Sequence, residues 1–141
     1  MRSQVSEVSG LFGSLSAQQA DHAYAPGKWT VKPVLGHLTD TERVFSYRAL
    51  SVARGDRAVL PNWEQDPWVP AGRFNDRPLE SLLLEWSTAR CTTIALLEGL
   101  PAEAPMRWGQ VAGNPITVRT LACVLPGHLI WHLEVLKDRY L

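Results

Sequence analysis

Apolar side chains recur three and four residues apart along four separate stretches of this chain, and they nowhere alternate with polar ones over the length of a substantial strand. Spacing of that kind lines one face of an α-helix, which confines the chain to helix-on-helix packing. The first stretch places Val5, Val8, Leu11, Phe12 and Leu15 on a common face, weakened by Gly10 and Gly13, and predicts a helix over 2–19. "YAPGKW" then breaks the chain. A second helix is predicted over 30–54. Thr30 is suited to cap it, Pro33 falls in the first turn where a missing N–H costs nothing, and Val34, Leu35, Leu38, Val44, Phe45 and Leu50 follow. The third, over 77–98, opens near Pro78 and ends at "GLP". The fourth, over 117–139, has Thr117 as its cap. It carries Pro126 and Gly127 inside it, a pair expected to bend the helix just ahead of His128.

Residues 55–77, rich in Pro, Gly, Asn and Asp, read as a long connection, and 99–116 as a second irregular stretch. The predicted fold class is therefore all-α: a four-helix bundle with a long crossover between helices 2 and 3, in a single domain spanning 1–141. Fourteen basic side chains balance fourteen acidic ones, so no nucleic-acid or anionic-membrane surface is expected. No apolar run spans a bilayer and the N-terminus has no signal-peptide core. Cys91 and Cys123, the two cysteines, suit a reducing cytoplasm better than a disulfide scaffold.

The last helix, "GHLIWHLEVLKDRYL", holds two of the four histidines on its apolar stripe. At 100° per residue His132 lies about 40° from His128, and Leu121 and Val135 flank both. On the second helix His37 also faces inward, between Val34 and Val44. A single histidine on an apolar face is more often a satisfied core residue than a ligand. Three of them need partners for six ring nitrogens, at roughly 1–3 kcal/mol for each unsatisfied group, and one shared ion satisfies three at once. Geometry alone leaves both readings open.

Other candidates are weaker. His22 reads as a solvated turn residue, Cys91 as a small core residue, and Cys123 points away from the histidine face. Glu42 reads as a solvated helix residue and Asp40 as an acceptor for an imidazole N–H. Trp63 and Trp108, in the irregular stretches, are candidates to line a pocket. Thr41, about 40° from His37, is placed to donate a hydrogen bond to a bound nucleophile. Arg48, at about 20° but about 16 Å along the helix, is placed either to meet a substrate carboxylate or to serve as a surface or dimer-interface residue.

The segments "YAPGKWTVKPVLGHLTDTERVFSYRAL", "FNDRPLESLL", "GNPITVRTLA" and "GHLIWHLEVLKDRYL" resemble, in wording and order, the DinB/YfiT-like superfamily of bacterial metalloproteins. The resemblance covers nearly the whole chain. It implies a four-helix bundle with a long crossover, often dimeric, and a metal site of one histidine from the second helix with an HxxxH pair from the fourth. By motif these are His37 in "LGHLTDTER" and His128 and His132 in "GHLIWHL". Trp131 stands where many members carry a further histidine, and members usually extend one or two helical turns beyond the position of Met1.

The resemblance implies a thiol transferase using bacillithiol, mycothiol or glutathione. The expected function is a metal-dependent transferase that joins a low-molecular-weight thiol to an electrophilic small molecule. The alternatives are a metal-dependent hydrolase using a metal-bound water and a non-catalytic, metal-stapled stress-response bundle. The expected ion is nickel or zinc, since imidazole suits both and no oxygen-rich cluster invites magnesium or calcium. No fourth protein ligand is evident on either face, which favours an open, reactive site over a closed structural one. A homodimer is expected.

Overall fold

The computed structural model describes residues 1–141. Helix α1 (Arg2–Gly13) is followed by the single turn α2 (Ala17–Ala20), then by α3 (Val31–Ala53). The first helix thus stops short of the predicted residue 19. Ser16 starts a new turn there through a capping box, its hydroxyl accepting from the Gln19 N–H while the Gln19 side chain accepts from the Ser16 N–H. Thr30 caps α3 by position only; its hydroxyl donates instead to Asn75 Oδ1 at 2.7 Å.

The crossover that follows α3 is folded rather than irregular. It contains the short strand β1 (Val59–Leu60), helix α4 (Gln65–Ala71) and a 3-10 turn at Phe74–Asp76 before α5 (Leu79–Glu98). The Phe74 ring is what seats it. A Cβ on Gly36 would lie 2.4 Å from that ring, and so would one on Gly72, so only two glycines let the ring slot between α3 and the end of α4.

After α5 comes a hairpin that helical periodicity does not predict, β2 (Trp108–Val111) and β3 (Asn114–Thr117). Ala112 and Gly113 form its two-residue turn with φ of 50° and 80°, the positive values that a primed hairpin turn demands. β1 pairs parallel to β2, completing a three-stranded sheet in the order β1-β2-β3. The chain is therefore mainly helical with a small sheet at one end, and strands of two to four residues are too short to show alternation.

Helix α6 (Val118–Arg139) starts on Thr117, whose hydroxyl accepts from the Thr120 N–H, and it runs unbroken through Pro126. α3 lies at the centre, packed on both α5 and α6, while α1 packs on α5. The main core brings together Phe12, Leu35, Leu38, Trp86, Leu129 and Leu133, and a smaller one under the sheet is built on Ala49, Val52 and Leu121. No helix is long and apolar enough to cross a membrane.

One buried polar chain ties the four long helices together. Arg90 Nε on α5 donates to Glu42 Oε2 on α3 at 2.9 Å, and Arg90 Nη1 donates to Gln4 Oε1 on α1 at 2.7 Å. Gln4 Nε2 in turn donates to the Pro126 carbonyl on α6 at 3.1 Å. Glu42 and Arg90 are each 1 % exposed, so Glu42 is a buried ion-pair partner and not the solvated residue expected from the sequence. The angular argument failed because it considered only the histidine face; Glu42 points away from that face, toward α5. Cys91, expected in the core, is exposed, as is Cys123.

Candidate metal centre

His37 on α3 lies beneath Trp63 of the crossover, and His128 and His132 meet it from α6, one turn apart. His128 Nε2 lies 3.2 Å from His37 Nε2 and 3.1 Å from His132 Nε2. The three ligand atoms all fall within 4.8 Å of one another, and no cysteine or carboxylate joins them. His37 is 1 % exposed and His132 8 %.

That arrangement discriminates between the two readings of the histidines. A ring nitrogen offers one proton or one lone pair. His128 Nε2 faces two other ring nitrogens, so it can satisfy at most one of them by a hydrogen bond. His37 is worse placed still, since its Nδ1 is also buried without a partner. Protonation offers no escape. Burial, and secondarily the charge of His128, pushes His37 down to about 4. Burial, then His128 and His37, pushes His132 down to about 3, and burial also lowers His128. Near neutral pH the rings are therefore uncharged, the form that carries a ligand lone pair.

A cation among the three nitrogens resolves the conflict. Two nitrogens at the roughly 2.0–2.1 Å of a tetrahedral zinc site stand about 3.3–3.4 Å apart, close to the separations seen here. The residues present thus fit a divalent ion, with three protein ligands and an open position.

Aromatic rings wall the cluster. Trp63 stacks on His37 with centroids 5.4 Å apart and planes at 11°, and Trp29 lies 5.2 Å from the same imidazole. Trp131, itself 57 % exposed, sets its ring edge-to-face with His132 at 4.6 Å. A cavity of about 340 Å³ opens over His128 and His132. Its walls include Trp29, Trp131 and Tyr140, and Lys28 and Asp66 supply one charge of each sign. Tyr140 is held there by donating to the Trp29 carbonyl at 2.9 Å.

Of the residues singled out by sequence, His37, His128, His132 and Trp63 meet at this point. Others do not. Thr41 is buried, but its hydroxyl donates to the His37 carbonyl at 2.9 Å, so the proton expected for a bound nucleophile is engaged within the helix. Arg48 is buried away from the histidine cavity and donates to the Pro61 carbonyl at 2.8 Å. Asp40 makes no bond to an imidazole, consistent with the unpaired His37 Nδ1. Trp108 is 53 % exposed under Arg57 and lines no wall of this cavity, and His22 is exposed. Lys28, Trp29, Asp66 and Tyr140 were missed because they sit in loops, a short helix and a helix end, where periodicity is silent.

The family model described as the DinB superfamily matches residues 2–136. The chain belongs to the DinB superfamily. Among solved structures it is similar to YfiT from Bacillus subtilis, described as a probable metal-dependent hydrolase with an unusual four-helix bundle topology. That likeness has a TM-score of 0.78 at 16 % identity, and it covers 95 % of this chain and 80 % of the other. No curated protein matches the sequence.

Proposed function

We propose that this DinB-superfamily protein is a divalent-metal-dependent hydrolase whose ion is held by His37, His128 and His132. The observation that carries the proposal is the pair of short contacts at His128 Nε2, which no tautomer satisfies and a cation does. Zinc or nickel suits three imidazoles. When bound in an open site, such an ion supplies Lewis acidity and lowers the pKa of a coordinated water or thiol toward neutrality.

The remaining work belongs to the cavity. Trp29, Trp131 and Tyr140 offer apolar and aromatic surface to a substrate body, while Asp66 is a carboxylate able to take up a proton and Lys28 a cation able to hold an anionic group. Burial beneath Trp63 and Trp29 keeps bulk water from the back of His37. Hydrolysis is placed ahead of thiol transfer because the structurally similar protein is described as a probable metal-dependent hydrolase. A low-molecular-weight thiol remains the competing nucleophile, since the same open position accepts either.

The test is elemental analysis of the purified protein, followed by ester and amide hydrolysis measured against conjugation of bacillithiol, mycothiol and glutathione to an electrophile panel. Metal at one equivalent with hydrolysis supports the proposal. Metal with thiol conjugation alone replaces hydrolysis by transfer, and absence of metal after loading removes both. We also propose a homodimer. Tyr47 on α3 and Leu84 on α5 are 59 % and 68 % exposed, apolar surface that a second copy would cover.

A further inference from the structure

A second cavity, of about 300 Å³, lies beside the histidine cluster, and its shared wall is Trp63. The Trp63 ring stacks on His37 and also lines this cavity, yet its Nε1–H is buried with no hydrogen-bond partner. Arg48 lines the same space. It is only 6 % exposed, forms no ion pair, and spends a single hydrogen bond on the Pro61 carbonyl, which leaves most of its guanidinium donors without an acceptor.

Buried arginines are ordinarily paired. Arg90, a few turns away in the same bundle, shows the rule kept, with Glu42 and Gln4 both in reach. Arg48 has no carboxylate partner; its guanidinium lies over the Phe45 ring, 5.0 Å from the centroid. No Asp or Glu lines the cavity, and the nearby Arg43 is engaged with Glu85 at 2.6 Å. The rest of the lining is mainly apolar or aromatic, Val44, Tyr47, Leu60, Pro61 and Trp68, with Asn62 as one uncharged polar group whose amide donates to Glu64. The cavity therefore combines surplus donors, one unneutralised positive charge and an oily wall, at the small end of the size range of ligand sites.

We infer that this cavity is a binding site for a small carboxylate with an apolar body, its carboxylate accepting from Arg48 and from the Trp63 Nε1–H. A planar guanidinium matches a carboxylate in geometry as well as charge, and the indole N–H gains the acceptor it lacks. The site is separate from the metal-binding cluster and does not depend on the hydrolase reading; it stands or falls by binding alone.

The test is an NMR titration of the zinc-loaded protein with phenylacetate, and with phenylacetamide as the neutral counterpart. The Trp63 indole N–H resonance is assigned by its loss in Trp63→Phe. Phenylacetate should shift that resonance downfield with a saturating, one-to-one curve, and phenylacetamide should bind at least about tenfold more weakly. Arg48→Met should weaken phenylacetate by about tenfold or more, whereas His132→Ala should leave it in place. A carboxylate seated on the metal would give the opposite pair of results and overturn the inference. So would equal affinity for the amide, or no movement of the Trp63 resonance at millimolar ligand. Should Arg48→Met fail to fold, the acid-against-amide comparison in the unmutated protein still decides.

Discussion

The Phe74 ring occupies the space a Cβ on Gly36 would need, at 2.4 Å, and Gly36 is the residue immediately before His37. The crossover is thus seated on the turn of α3 that carries a proposed metal ligand. Gly36→Ala should cost about 1–3 kcal/mol by overpacking, because Gly72 pins the ring from the other side. It should also weaken metal affinity. Adding Phe74→Leu in that background should recover part of the thermal stability. Equal melting temperatures for Gly36→Ala and the unmutated protein would show that the ring has room to move.

Removing one imidazole separates site from scaffold. His132→Ala should lose bound metal and hydrolysis together while circular dichroism keeps its helical signal, since the main core is built from residues outside the cluster. A variant that retained one equivalent of metal would remove His132 from the ligand set.

Acid should loosen the metal-free protein in a defined window. His37 and His132 ionise near 4 and 3 in the fold but near 6.5 when unfolded, so between those limits the unfolded chain binds more protons. Their contribution is intact above about pH 6.5 and is lost as pH falls through the folded values. For His37 alone, a drop from 6.5 to about 4 is worth roughly 3 kcal/mol, and coupling between the rings makes the two non-additive. Chemical denaturation at pH 7.5, 6, 5 and 4 checks this, and a flat midpoint across that range would contradict it.

The Glu42–Arg90 pair should show strong coupling. Arg90→Met leaves a buried carboxylate whose pKa burial already raises, and should cost about 3–5 kcal/mol. Glu42→Leu should cost a similar amount. The double variant should recover much of the loss, because both uncompensated charges are gone. A double-mutant cycle with additive losses would mean the pair is screened by water.

How much of this was legible in the sequence depends on what each residue's signal was. Helices α3, α5 and α6 were readable because their apolar residues keep a helical period over twenty or more residues. The inward direction of His37, His128 and His132 followed from the same arithmetic. Glu42 was misread because its partner, Arg90, lies 48 residues away, beyond any local pattern. The hairpin at Ala112–Gly113 was read only as part of the irregular stretch 99–116. Its strands are four residues long, and β1, which pairs with β2, comes from the crossover before α5, so no periodicity could join them. Trp63 was singled out for its place in a loop, but its stacking on His37 depends on how the crossover folds back over α3, which no local pattern carries.

The contact between His37 and His128 joins residues 91 apart in sequence. Everything from the crossover through α5 and the hairpin lies within that loop. An ion bridging α3 and α6 would bind only when that loop is closed, so its binding free energy would add to the stability of the closed form, by about 2.7 kcal/mol at a free-metal concentration a hundredfold above Kd. Chelation should then leave the folded geometry intact and withdraw that free energy, so that metal content sets how readily the bundle opens.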